Sequence, residues 1–161
     1  MKNGKDWRVI VASSLAWEEG HASLDSAVKD LPAALRGKRP ERYPHSLWEL
    51  VEHIRITQRD LLDFAQNADY TEKLEWPKDY WPASPEPPNS AAWDQSIADY
   101  KRDREAFARF TAETNVDLTS RIPHGKGQTY LRTILLAVDH ASYHVGQIVS
   151  VRRLLGAWPQ K

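Results

Sequence analysis

The residues of this chain best suited to chemistry are histidines. His140 and His144 stand four apart within TYLRTILLAVDHASYHVGQIVSVRRLLGAWP, Thr129 to Pro159. On a helix, residues at that spacing lie one above the other on the same face, so two imidazoles can reach one metal ion. A third, His53, lies in an earlier amphipathic stretch, at the edge of its apolar stripe near Leu50, Thr57 and Phe64. Neutral imidazole is a good ligand for zinc, nickel, copper and ferrous iron. Three protein ligands leave at least one coordination position open, as in catalytic rather than closed structural sites. A divalent ion there can acidify water or polarise a carbonyl, and it can equally hold the thiolate of a bound thiol. The same pattern also fits three histidines that merely hydrogen-bond at the rim of a core, and spacing alone leaves both readings open.

Around this trio, Gln147 lies on the histidine side of its helix, and His124 sits in a glycine-containing turn. These two are the side chains expected to assist chemistry. Ligand histidines need partners to orient them, and Asp60 and Glu49 are the candidates; Asp139 adjoins His140 but points elsewhere, and Gln147 is placed to bond to a metal-bound water. His21 and His45 read as local structure, the one beside a kink and the other just before a helix cap.

The elements that position these residues are helical. Apolar periodicity marks a first region from Asp6 to Leu31, with stripes of Val9, Ala12, Leu15 and Ala16 and then of Leu24, Ala27, Val28 and Leu31. Gly20 kinks or splits it, and Pro32 ends it. A polar connection, Ala34 to His45, follows. Ser46-Leu47-Trp48-Glu49 is a capping box that opens the second helix. Its stripe is Leu47, Leu50, Val51, Ile54, Leu61, Leu62 and Ala65, and it ends near Gln66 or Asn67. Residues 68 to 89 contain five prolines with Tyr70, Trp76, Tyr80 and Trp81; this cannot be regular helix and reads as an ordered loop laid over the bundle. The third helix runs from about Ser90 to Glu113, with Trp93, Ile97, Tyr100, Phe107 and Thr111 inward and Lys101, Arg102, Asp103 and Glu105 outward. After the turn Asn115 to Gln128, Thr129 caps the fourth helix, whose stripe is Leu131, Ile134, Leu135, Val138, Ala141, Val145 and Ile148; Gly156 and Pro159 stop it. The expectation is an all-α four-helix bundle, one domain over residues 1–161, with a long proline- and tryptophan-rich loop between its second and third helices.

Composition narrows the function. Acidic and basic side chains number 22 each, so the formal net charge is zero. That argues against nucleic acid and against a polybasic membrane anchor. No apolar run approaches the roughly 20 residues that span a bilayer. The N-terminal stretch lacks a convincing signal peptide, so the cytoplasm is the default location. With no cysteine in the sequence, disulfides, thiolate metal sites and a cysteine nucleophile are excluded.

Two segments carry a resemblance. DHASYHVGQIVSVRRLLGAWP, Asp139 to Pro159, resembles the D-H-x-x-Y-H-x-G-Q motif and L-R-R-x-L-G ending of the DinB/YfiT-like superfamily. HSLWELVEHIRITQRDLLDF, His45 to Phe64, resembles that family's histidine-bearing second helix, and IPHGKGQT its turn before the last helix. The resemblance covers essentially the whole chain. It implies a divalent metal held by three histidines, mapping onto His53, His140 and His144; nickel or zinc comes first, with iron or manganese as further options. It also implies frequent homodimers. Relatives include S-transferases and an isomerase that depend on a low-molecular-weight thiol, mycothiol or bacillithiol. The loop from Trp76 to Pro88 departs from the family pattern.

Three functions compete. The first is a metal-dependent transferase or hydrolase acting on a small molecule at the three-histidine site. The second is a non-catalytic metal- or ligand-binding module of the stress-response kind, and the third a structural dimeric bundle. Surplus apolar residues, Trp7, Ile10, Trp17 and Phe110, are expected to form an outer face for a twofold homodimer. Trp76 or Trp81 is expected to roof a site that opens at one end of the bundle.

Overall fold

Capping chemistry sets where the helices of this protein begin. In a computed structural model that describes residues 6–159, Ser46 Oγ accepts from Glu49 N–H (3.2 Å) and Glu49 Oε2 accepts from Ser46 N–H (2.8 Å), the reciprocal pair of a capping box. Asn89 and Thr129 accept in the same way from Ala92 N–H and Arg132 N–H. Among the described residues five α-helices result: α1 Asp6–Ser14, α2 Leu24–Val28, α3 Leu47–Gln66, α4 Ser90–Ala112 and α5 Tyr130–Leu154. Two 3-10 turns, Ala33–Leu35 and Lys78–Tyr80, lie between them. Among the described residues no strand forms, only an isolated bridge between Arg121 and Thr129. No described helix is long and apolar enough to cross a membrane.

The long helices α3, α4 and α5 form the frame: α3 packs against both α4 and α5, α1 lies across α4 and α5, and α2 rests on α5. At the end of α5, Gly156 adopts φ +67° and Ala157 N–H reaches back to Arg152 O (2.8 Å). A side chain is strained at that φ, which is why glycine terminates the helix. Arg152 itself is buried, and its guanidinium donates to the carbonyls of Ala27, Lys29 and Ala157. It thereby ties α2 to α5, and its burial pushes its pKa down.

The first region differs from its expected form. It splits into two short helices separated by residues 15–23, and α1 turns a different face inward. Val9 is exposed, whereas Arg8 is buried and donates to the carbonyls of Thr111, Glu113 and Val116. Those carbonyls lie at and beyond the C-terminus of α4, where helix ends leave acceptors unpaired. Three more expectations are corrected. Asp103 is buried rather than solvated, and pairs with Arg59 and Arg102. Leu135 is exposed. Phe110 is in the core rather than on an outer face, although Trp7, Ile10 and Trp17 are exposed.

The apolar core has two parts. One gathers Leu47, Leu50, Val51 and Ile54 of α3 with Trp93 and Tyr100 of α4 and Val145, Ile148 and Val151 of α5. The other gathers Leu62 and Ala65 with Phe107, Phe110, Ile134 and Ala137. Buried polar groups lie in the gap: Thr57 and Gln58 on α3, Asp103 on α4, and His144 on α5. Gln58 Nε2 donates to the Tyr100 carbonyl (2.9 Å), so part of this layer is satisfied internally. The histidines sit within it.

Candidate metal centre

His53 is the seventh residue of α3, and His140 and His144 lie midway along α5. The α3/α5 contact brings them together. Their ring centroids are 4.8 Å (His53–His140), 4.6 Å (His53–His144) and 4.5 Å (His140–His144) apart. One nitrogen of each lies within 4.8 Å of the other two. His53 is 1% exposed and His144 is also buried. The cluster is therefore set into the side of the helix pair, not open at an end of the bundle.

Hydrogen bonds preset two of the three rings. His53 Nδ1 donates to the Tyr80 carbonyl (2.8 Å), which leaves Nε2 as a lone pair. His144 Nδ1 donates to Gln147 Oε1 (2.7 Å), with the same consequence. Fixing the tautomer through the outer nitrogen is what a ligand histidine requires. Gln147 therefore orients a ring; its amide nitrogen donates to the Tyr143 hydroxyl (3.4 Å). His140 Nε2 lies 3.0 Å from His53 Nε2. Two ring nitrogens so close share either a proton or an ion, since facing lone pairs repel. Nitrogens around one ion with bonds of 2.0–2.1 Å stand roughly 3–3.5 Å apart; the His53–His140 pair is at that spacing and His144 brings a nitrogen within 4.8 Å of both, so the three could hold a metal ion.

Electrostatics agree. Burial pushes the pKa of His53 down to about 4 and that of His140 to about 3, and neighbouring imidazoles push both the same way. His144 is lowered too, again chiefly by burial. Desolvation penalises the charged form. At neutral pH the rings are uncharged, the state that coordinates metal.

The loop covers the site. Trp81 is stacked between His53 (3.9 Å, 2° between planes) and His45 (4.1 Å, 10°). Trp76 is 65% exposed and lies 6.3 Å from His53 and edge-on to Tyr80. The loop is pinned from below: Tyr80 and Tyr70 hydroxyls donate to the two carboxylate oxygens of Asp60 (2.7 and 3.0 Å). Partial burial, and after it the Asp60 carboxylate, raise the pKa values of both phenols. Ser46 Oγ also donates to the Pro85 carbonyl.

Several expected partners turn out otherwise. Asp60 touches no histidine and acts on His53 only through Tyr80. Glu49 is engaged with Ser46 and Arg39. His124 is not brought to the cluster: its Nε2 donates to the Phe64 carbonyl (2.9 Å) and it packs on Phe64 and Tyr70. Phe64 is 11 residues beyond His53, about 16 Å along α3. The residues that sequence reasoning passed over are His45, read as local structure, and the Tyr80 carbonyl. The available signal was the pair of Trp-Pro steps at 76–77 and 81–82.

An all-α protein with three convergent histidines on two facing helices, two of them tautomer-set, belongs to a class of helical proteins whose side chains can hold a metal ion in the core. The sequence model of the DinB superfamily matches residues 16–148, and the chain belongs to that superfamily. All three histidines fall within the matched span. Comparison with curated proteins and with solved structures returned no match.

Proposed function

We propose that this protein is a divalent-metal-dependent enzyme, of the thiol-dependent S-transferase or hydrolase type, acting on a small molecule. In this reading one domain forms a four-helix bundle in which α1 and α2 together fill the first position, and the exposed Trp7, Ile10 and Trp17 face a second copy in a homodimer. His53, His140 and His144 hold the ion, and imidazole donors favour nickel or zinc. When bound, such an ion supplies Lewis acidity, polarising a carbonyl or making a thiol or water more acidic. The protein's own groups do the rest. The Tyr80 carbonyl and Gln147 keep lone pairs of His53 and His144 aimed inward. Trp81 covers one face of His53 and keeps water from it, and Tyr143, exposed beside His144, stands where a substrate arrives.

The observation that carries this reading is the pair of outer hydrogen bonds, His53 to Tyr80 and His144 to Gln147. Histidines with a purely structural role have no need to present two lone pairs to the same point. Elemental analysis of purified protein is the test, repeated on His144→Ala. Near-stoichiometric metal in the first and its loss in the second is the expected result; a metal-free wild type refutes the reading. Turnover of thiol conjugation or ester hydrolysis by the loaded protein then separates an enzyme from a binding module.

A further inference from the structure

One hydroxyl in the polar layer between the two core clusters has no partner among the described residues. Thr57 is 8% exposed, and its Oγ1 is buried without a hydrogen bond. The other polar side chains of the layer are engaged: Gln58 with the Tyr100 carbonyl, Asp103 with Arg59 and Arg102, His53 with Tyr80, and His144 with Gln147. Two further buried atoms lack a hydrogen bond, Asp25 Oδ1 and Arg36 Nε. Each still meets a partner of another kind, since Lys101 Nζ lies 3.3 Å from Asp25 Oδ1 and the Arg36 guanidinium lies 4.8 Å from the centre of the Trp93 ring. Thr57 has neither.

A hydroxyl within a helix ordinarily bonds to its own backbone. Thr111, Thr133 and Ser150 each donate to the carbonyl four residues back. For Thr57 that acceptor is the His53 carbonyl, and the bond is not made. A valine would fill the same shape without desolvating a hydroxyl for no return.

The place of Thr57 in the fold points to what the hydroxyl meets. Four residues past His53 is one turn on along the same face of α3, about 6 Å along the axis. Helical side chains lean toward the N-terminus, so that of Thr57 leans toward the turn that carries His53. The helix opposite, α5, runs the other way: Leu50 and Ile54 cluster with Ile148 and Val151, and Leu62 and Ala65 with Ile134 and Ala137. Thr57 falls at the level between, where α5 carries His140 and His144. The side chains that shift the three rings electrostatically are all imidazoles, so the protein brings no carboxylate of its own to this point.

We infer that the Thr57 hydroxyl donates to a small anion seated against the three histidines, bonding to the same oxygen, nitrogen or sulfur atom that the site ligates. A hydrogen bond to a charged acceptor is stronger than one to a neutral group, and this one forms only when the anion is present. The assignment rests on the metal reading above and adds the protein group that receives the anion.

The test is a titration of cobalt-loaded protein with azide, followed by visible absorption, in the wild type, Thr57→Val and Thr57→Ser. Valine keeps the shape and removes the donor, whereas serine keeps the donor. Azide should bind about tenfold or more weakly to Thr57→Val, as for loss of a hydrogen bond to a charged group, and at wild-type strength to Thr57→Ser. Thr133→Val, which removes a hydroxyl already bonded to its own helix, should leave azide affinity unchanged. Equal affinity in the wild type and Thr57→Val overturns the assignment. An equal loss in Thr57→Val and Thr57→Ser overturns it too, because the cause is then packing rather than the hydroxyl. If the wild type takes up cobalt but azide leaves its spectrum unaltered, the assignment falls and the metal reading stands. If the wild type takes up no cobalt, both fall.

Discussion

Replacing Trp81 by alanine tests how this protein holds His53 in place. The indole lies between two imidazoles, at 3.9 Å from His53 and 4.1 Å from His45, nearly parallel to both. Aromatic pairs contribute about 0.5–1.5 kcal/mol each beyond burial of area, so the two stacks together are worth about 1–3 kcal/mol. For a chain of this length each kcal/mol moves the melting temperature by about 2–4 °C, and Trp81→Ala should melt about 2–12 °C lower. Loss of the stack also frees the His53 ring to turn, leaving its orientation to the Tyr80 carbonyl alone. Removing support from a ligand histidine typically costs 10- to 100-fold in metal affinity. The control is Trp76→Ala, whose indole is mostly exposed and meets Tyr80 only edge-on. Calorimetry and a metal titration with a competing chelator read both quantities. If Trp81→Ala matches Trp76→Ala in melting temperature and in metal affinity, the stacked indole does not organise the site. A His45→Ala/Trp81→Ala double-mutant cycle should isolate a coupling of about 0.5–1.5 kcal/mol.

Other perturbations address the rest of the site. Gln147→Leu should weaken metal binding by roughly 10- to 100-fold with an unchanged helical spectrum; an unaltered affinity would mean that the His144 contact has no orienting role. Metal removal by a chelator should lower the melting temperature without unfolding the protein at room temperature, because the apolar clusters stand without it; loss of the helical signal would reassign the metal as structural. Stability should fall as pH drops from about 6.5 to 4.5. Unfolded histidines take up protons near 6.5, whereas folded His53 and His140 resist until about 4 and 3. The unfolded state therefore binds more protons in that window, by up to about 2–3 kcal/mol per buried ring, less where the two rings share one proton. Urea melts of the metal-free protein check this, and His53→Ala should flatten the slope. Arg8→Met should destabilise by about 3 kcal/mol, since three carbonyls lose their donor; a melt within a degree of wild type would contradict that.

Much of this was legible in the chain because the relevant signals are local. The capping box at Ser46 and Glu49, the cap at Thr129 and the stop at Gly156 are each written within a few residues, and α3 and α5 begin, and α5 ends, where those residues place them. The i, i+4 spacing of His140 and His144 is equally local. What escaped depends on partners distant in sequence. Arg8 is buried because carbonyls more than 100 residues away accept from it, yet an arginine on a short amphipathic helix reads as solvent-facing. Asp103 followed the same logic through Arg59. Periodicity was too weak over the nine residues of α1 to choose its inward face. His45 looked like mere punctuation before a cap, because nothing near it in sequence announces Trp81.

Tyr80 joins two equilibria that are otherwise separate. Its carbonyl sets the tautomer of His53, and its hydroxyl anchors the loop to Asp60. The loop cannot lift from α3 without releasing the ring, so in the proposed metal-binding reading any opening of residues 68–89 is thermodynamically linked to ion occupancy. Linkage is reciprocal: whatever factor the closed loop adds to metal affinity, the metal adds to loop closure. Limited proteolysis within that segment then becomes a gauge of ion occupancy that measures no metal at all, and divalent ions ranked by the protection they confer are ranked by how strongly they favour the closed loop.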